Sequence, residues 1–228
     1  MALPVIPVLG AAHVFPAAGS ALKEGLVAVG GDLSEGRLLA AYRAGIFPWS
    51  VNPITWWSPD PRAVFDVARV HVGRSLAKVL RKGGFTVTED RCFRRVIEAC
   101  ATVPRQGDAT WITPEIVEAY ERMHELGWAH SLEVWQGGQL AGGVYGVAIG
   151  GFFAGESMFH HVSNASKVAL VELLARLRAR GCQLFDTQML TETTRALGAF
   201  ELPRAEYLSR LAVALDGASC WPCPAAAR

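Results

Sequence analysis

An α+β fold is expected for this chain of 228 residues. Three features point to it. Residues 128–159 alternate apolar with polar or small side chains around repeated glycines, the period of two that marks strands. Residues 163–181 then change to a helical period, with Val168, Leu170, Val171, Leu174 and Leu177 on one side and Gly181 as a stop. A short apolar run at 182–187 and a last amphipathic stretch from Pro203 to Leu215 complete a β-β-β-α-β-α order.

Taken from the N-terminus, Val27 to Gly31 is a short apolar run, and Ser34 is placed to cap a helix carrying Leu38, Leu39 and Tyr42 that stops at Gly45. The stretch from Ile46 to Arg62 holds Trp49, Trp56 and Trp57 among prolines, which exclude a regular helix. It reads either as a packed seam between domains or as an aromatic platform for a stacked base. Pro59 and Pro61 place a boundary near residue 61, giving a small N-terminal domain over 1–61 and a larger one over 62–228. Arg74, Lys78, Arg81 and Lys82 fall on one helical face, opposite Leu76, Val79 and Leu80. A one-sign stripe of this kind is either a solvated face or a phosphate-contacting one. Asp90 is positioned to cap a helix reaching Cys100. After a loop containing proline and glycine, Thr113-Pro114-Glu115 is a strong helix start, and Gly127 ends that helix. Trp111 stands just before this cap, as a packed loop residue or a second base platform. The three strands and the long helix follow, opened by Ser163 or Asn164, in the half-sheet arrangement of acyltransferase-like α+β domains.

Composition removes several classes of function. Hydrophobic residues make up 51% and charged residues 19%, so the chain buries a core and is not a disordered one. Its formal net charge of +1 means that any nucleic-acid site must come from local clustering. Such a cluster exists between Arg69 and Arg95, where eight Lys or Arg face only Glu89 and Asp90. Two uncharged runs, Met1 to Leu22 and Val134 to Gly155, are long enough to test as membrane spans. The first is broken by Pro4, Pro7 and Pro16, and the second carries eight glycines from Gly137 to Gly155 and reads as a hairpin, so no membrane partner is expected. Cys92, Cys100, Cys182, Cys220 and Cys223 are odd in number and irregular in spacing, which suits reduced thiols in a cytosol. Cys220-x-x-Cys223 has neither a second ligand pair for zinc nor a strand-to-helix context for redox work. His124, His130, His160 and His161 show no metal-binding spacing, so no metal is assigned.

Two places hold polar side chains that demand an explanation. Glu156 lies in the apolar, glycine-rich run Phe152 to Phe159, where an unpaired buried carboxylate costs several kcal/mol. It must face water or meet a partner, and Gly150, Gly151 and Gly155 leave bare backbone where another chain or a ligand could approach. Asp186 and Gln188 end the run at 182–187, two apart and so on one face if the strand reaches that far. An acid beside an amide suits hydrogen-bonded positioning of a polar substrate; the plain alternative is that Asp186 opens a loop or caps a turn.

Several segments together resemble one family. Leu26-Val27-Ala28-Val29-Gly30-Gly31-Asp32-Leu33, Gly45-Ile46-Phe47-Pro48-Trp49, Trp56-Trp57-Ser58-Pro59-Asp60-Pro61-Arg62, Ala129-His130-Ser131-Leu132-Glu133-Val134-Trp135 and Gly155-Glu156-Ser157-Met158-Phe159 look like the leucyl/phenylalanyl-tRNA-protein transferases, and the similarity spans nearly the whole chain. The resemblance implies a small N-terminal α/β domain, then a GNAT acyltransferase-like domain with a mixed, mostly antiparallel sheet. It implies a cytoplasmic enzyme that moves Leu or Phe, with Met plausible, from Leu-tRNA or Phe-tRNA to proteins with N-terminal Arg or Lys, marking them for degradation by the N-end rule. By family motif, Trp49 and Trp111 would hold the terminal adenosine, and Arg74, Lys78, Arg81 and Lys82 would meet the acceptor stem. Phe153, Met158, Leu170, Phe185 and Val144 would shape the side-chain pocket. Gln188 would contact the attacking amine, Asp186 would orient it, and Glu156 would sit beside the acceptor's N-terminus. No cofactor is implied.

Two rivals remain at this point. An acetyl-CoA-dependent N-acetyltransferase needs a glycine-rich turn before the long helix to hold pyrophosphate, and His160 to Lys167 contains no glycine. A non-enzymatic reader of basic N-termini would use Glu156 and Asp186 as an acidic clamp and would release no free tRNA.

Overall fold

The computed structural model describes residues 6–12, 14–103 and 110–221. Residues 8–57 supply a four-stranded sheet: β1 (Val8–Leu9), β2 (Leu26–Gly30), β3 (Phe47–Val51) and β4 (Ile54–Trp57), in the order β1-β2-β4-β3. Helix α1 (Glu35–Arg43) connects β2 to β3. The tryptophan-rich stretch is therefore a hairpin, with Ser50 Oγ donating to Pro53 O across its turn.

The second sheet begins at Arg62 and has seven strands in the order β11-β5-β10-β9-β8-β7-β6. These are β5 (Arg62–Phe65), β6 (Thr86–Glu89), β7 (Ala129–Gln136), β8 (Gln139–Ile149), β9 (Phe152–His160), β10 (Leu184–Gln188) and β11 (Phe200–Leu202). β9 and β10 run parallel and the other pairs antiparallel, so the sheet is mixed and mostly antiparallel. Its helices are α2 (Arg74–Lys82), α3 (Phe93–Thr102), α4 (Pro114–Glu125), α5 (Ala165–Ala179), α6 (Glu192–Ala196) and α7 (Arg204–Leu215).

Alternation along the central strands buries both faces. Tyr145, Val147, Phe152 and Ala154 pack with α1, α3, α4 and α7, and the same cluster takes in Val27, Phe47 and Trp56 of the first sheet. Val144, Ala148, Phe153 and Phe185 pack with α5 and with Leu76 of α2. The four basic residues of α2 are exposed, opposite buried Leu76.

Some local expectations change. Ser34 occupies the N-cap of α1, but its hydroxyl bonds the Asp32 carboxylate and does not reach the helix. Asp90 does not cap α3. Its carboxylate turns back to His130 Nδ1 (2.9 Å) and the Ser131 N–H (2.8 Å), and the N-cap falls on Cys92. The N–H groups of Arg91 and Cys92, just ahead of α3, donate to the buried Glu133 carboxylate at 3.2 and 3.4 Å, so β7 anchors that helix start. No helix among the described residues is long and apolar enough to cross a membrane. Cys92, Cys100, Cys182 and Cys220 are free thiols; Cys223 lies outside the described residues, as do most of the loop before Thr110 and the first five residues of the N-terminal uncharged run.

Candidate active site

A bulge brings Glu156 to the site. In the β8–β9 ladder Tyr145 faces Ser157 while Gly146 faces Gly155, so Glu156 is an extra residue with no opposite number. Phe152 and Ala154 pack on one side of the sheet, yet beyond the bulge Phe159 packs on that side and Met158 on the other. One inserted residue thus flips the parity of the strand and re-aims the carboxylate. Gly155 is required beside it, because a Cβ there would stand 2.9 Å from the Phe185 ring.

β10 carries a second bulge. Asp186 faces Val64 and Gln188 faces Ala63, which leaves Thr187 as the extra residue. Gln188 adopts a left-handed backbone with φ of 63°, a costly conformation for a side-chain-bearing residue. Its N–H donates to Asp186 Oδ1 at 2.7 Å, the local bond by which an aspartate supports such a turn. The strand does reach Gln188, but simple alternation of the pair is broken at Thr187.

The two bulges meet. Gln188 Nε2 donates to Glu156 Oε1 at 2.9 Å. Tyr120 Oη donates to Glu156 Oε2 at 3.4 Å and is hydrogen-bonded to Tyr42 Oη, so α1 and α4 each send one buried tyrosine to the carboxylate. Burial pushes the Glu156 carboxyl up to about 7; hydrogen bonds from Tyr42 and Gln188 and the Arg62 charge oppose this, while Asp186 adds to it. Burial also lifts both tyrosines, so they remain neutral donors.

Asp186 lies one layer deeper, fully buried. Arg62 Nε and Nη2 grip its two oxygens at 2.9 and 2.6 Å, and Tyr207 Oη donates at 2.8 Å. With the Gln188 N–H, these bonds occupy the carboxylate completely. Burial pulls the Arg62 guanidinium down, but the charge and hydrogen bonds of Asp186, with Tyr207 and Glu156, together outweigh it and hold it above its ordinary value.

Glu156 opens onto a cavity of about 580 Å³. Val144, Met158, Leu170 and Phe185 give it an apolar end, while Ser157, Thr187, Thr191 and Thr193 give it a polar rim. Phe153 is not on the wall; it packs behind Phe185, ring centroids 5.3 Å apart. Trp49 and Trp111 are half-buried away from this wall, Trp49 on β3 beside Trp57 and Trp111 just ahead of α4. Sequence reasoning missed Arg62, Tyr207 and Tyr120 and took Tyr42 for a helix core residue. Tyrosines at apolar helix positions were the available signal, since a buried phenol usually needs a partner.

Asp90, His124 and His130 are the one group of potential metal ligands among the described residues, gathered by the fold from three separate segments. Their polar atoms already have protein partners: His124 Nδ1 bonds Ala129 O at 2.8 Å, and Asp90 takes His130 and the Trp221 indole, each at 2.9 Å. The arrangement ties the C-terminal segment to the sheet.

The raised Glu156 carboxyl predicts a pH-dependent stability. Between its ordinary value of 4.5 and about 7 the folded state keeps a proton that the unfolded chain has released. Stability from this group is full below 4.5 and lost as pH rises through 7. Glu156→Gln, which cannot ionise, is therefore expected to melt increasingly above the wild type on going from pH 5 to pH 8.5. Thermal melts at both pH values measure this, and an unchanged difference between the two proteins would refute it.

Comparison with known proteins shows the family. A family model described as leucyl/phenylalanyl-tRNA protein transferase matches residues 64–212, and one described as the N-terminal domain of leucyl/phenylalanyl-tRNA protein transferase matches residues 31–60. A leucyl/phenylalanyl-tRNA–protein transferase of Anaeromyxobacter sp. (strain K) is 54% identical over 89% of this chain and 88% of its own. Proteins of the same name from Magnetococcus marinus and Chromohalobacter salexigens are 50% and 51% identical, over 93% and 96% of this chain and 93% and 88% of their own. Among solved structures, a GCN5-related N-acetyltransferase from Kribbella flavida aligns with 75% of this chain and 61% of its own at 13% identity and a TM-score of 0.39, a likeness too loose to bear on function.

Proposed function

The chain belongs to the leucyl/phenylalanyl-tRNA protein transferase family, and from that premise we propose that it moves Leu or Phe, with Met as a further donor, from aminoacyl-tRNA to the α-amine of proteins beginning with Arg or Lys. The observation that carries this is the hydrogen bond from Gln188 to Glu156, whose carboxylate stands on the wall of a cavity with an apolar end. Val144, Met158, Leu170 and Phe185 take the transferred side chain, with Phe153 supporting Phe185 from behind. One methylene changes binding by only about 1–3 kcal/mol, so such a pocket accepts Leu, Phe and Met while rejecting side chains branched at Cβ by shape.

The reacting ester is already activated, so the reaction asks for no cofactor. At pH 7 roughly 10% of an α-amine of pKa near 8 is neutral. Because Gln188 Nε2 is engaged by Glu156, its Oε1 is free to accept an N–H from that amine and aim the lone pair at the ester carbon. The N–C bond forms, the C–O bond to the terminal ribose breaks, and the amine's proton ends on the leaving hydroxyl. Glu156, at about 7, lies close enough to the amine's pKa to hold that proton in passage, and as a carboxylate it favours a cationic acceptor. Asp186 orients Gln188 through its backbone N–H.

Trp49 and Trp111 hold the terminal adenosine, on segments that flank α1 and α4, and the exposed basic face of α2 meets acceptor-stem phosphates. We divide the chain near residue 61 into a small N-terminal unit and a catalytic unit. A cytoplasmic place beside its tRNA donors, acting in N-end rule degradation, follows from this reading.

The test is to incubate the protein with radiolabelled Leu-tRNA and a protein beginning with Arg, with labelled acetyl-CoA in a parallel tube. Label passing from tRNA into acid-stable protein is expected. Transfer from acetyl-CoA alone would give the fold a different donor, and peptide binding that is indifferent to tRNA would make the protein a reader of N-termini.

A further inference from the structure

Arg62 stands outside every role assigned so far, yet it sits where the two halves of the site join. It opens β5 and is deeply buried, at 1% exposure. Its side chain faces two ways. Towards β10, Nε and Nη2 hold both oxygens of Asp186. Towards the first sheet, Nη1 donates to Gly45 O at 3.1 Å, and the guanidinium lies 4.7 Å over the ring of Phe47. Tyr207 closes the cage, its ring 4.6 Å from the guanidinium and its hydroxyl on Asp186.

These contacts form one continuous chain. Phe47 lies two residues before Trp49 on β3. From there the path runs through the Arg62 fork to Asp186, from Asp186 Oδ1 to the N–H of left-handed Gln188, and from the Gln188 amide to Glu156. From Phe47 onward each link is the guanidinium lying over a ring or a directed hydrogen bond, so the orientation of the Asp186 carboxylate is set by a planar, two-pronged donor. A lysine could supply the charge but not the fork.

We propose that Arg62 is a positioning residue for the transfer step: it fixes the plane of Asp186, so that Gln188 keeps its left-handed backbone and its amide stays aimed, in register with the strand that carries Trp49. This rests on the transferase reading above. It predicts that Arg62 acts on the rate of the reaction step and leaves substrate binding nearly untouched.

Arg62→Lys tests this, because it keeps a positive partner for Asp186 and removes only the fork. The measurement is kcat and KM for both substrates, per folded molecule as judged by a circular-dichroism melt, across a pH series. A fall in kcat of at least about tenfold is expected, with both KM values within about twofold of the wild type. The midpoint of the pH–rate profile is expected to stay in place, since the charge that acts on Glu156 is retained. Arg62→Met, if it folds, is expected to move that midpoint upward as well, because the charge that lowers the Glu156 carboxyl is gone. Wild-type kcat per folded Arg62→Lys molecule would overturn the proposal, as would a loss of activity that tracks only the loss of folded protein. A wild type that transfers nothing from aminoacyl-tRNA would overturn the transferase reading itself, a result distinct from an active wild type matched by Arg62→Lys.

Discussion

Gln188→Ala is expected to lower kcat for transfer by about two orders of magnitude with saturating substrates, while KM for aminoacyl-tRNA stays within about twofold. The size follows from what remains once the amide is gone. The ester is still activated and the side chain still fills its pocket, but the amine no longer meets an acceptor that fixes its approach. Orientation of two reactants can be worth many powers of ten, whereas selecting the neutral amine is worth only about tenfold at pH 7. Stability should fall by only about 1 kcal/mol, the cost of one lost hydrogen bond, because Glu156 keeps Tyr120 and Tyr42 as partners. Single-turnover transfer from labelled Leu-tRNA, with a melt on the same sample, measures both effects. Near-normal turnover by the alanine variant would show that Gln188 does not position the amine.

Glu156 shows how far a sequence can be read and where it stops. One acid in an apolar, glycine-rich strand says that the residue either faces water or meets a partner, but not which partner: Gln188 is 32 residues away, and Tyr42 and Tyr120 come from two different helices. The bulge that turns Glu156 inward leaves no mark in composition; it shows only as the shift of parity between Ala154 and Met158. The long strands β7, β8 and β9 and helix α5 are legible because each has enough residues to display a period. β5, β6 and β11 are three or four residues long, too short to show one, and β5 carries Arg62. An arginine after Asp-Pro reads as a surface residue until its partner on β10 is known. The resemblance named Asp186 and Gln188 together, whereas the structure gives these two buried residues different partners: Asp186 is held by Arg62 and Tyr207, and Gln188 reaches Glu156 beside the cavity.

Those partners predict different stability behaviour for the two neighbours. Asp186→Ala is expected to destabilise the protein by about 3–5 kcal/mol, because it leaves the Arg62 guanidinium charged and unmatched in the core. The two side chains are 2% and 1% exposed, so water cannot take over the lost bonds. For a chain of this size each kcal/mol lowers the melting temperature by roughly 2–4 °C, and the total shift should be on the order of 10 °C. Activity will fall too, but by a route that Gln188→Ala does not share: the loss should include folded protein as well as kcat. Arg62→Met combined with Asp186→Leu removes both charges and should recover much of the stability, since well-packed apolar replacements of buried ion pairs are often neutral. It should recover none of the activity, because Gln188 still lacks the oxygen that holds its N–H. Melts and transfer assays on the single and double variants decide the matter. If Asp186→Ala melts with the wild type, the carboxylate is not the partner that keeps Arg62 in the core; if the double variant regains transfer, Gln188 holds its conformation without Asp186.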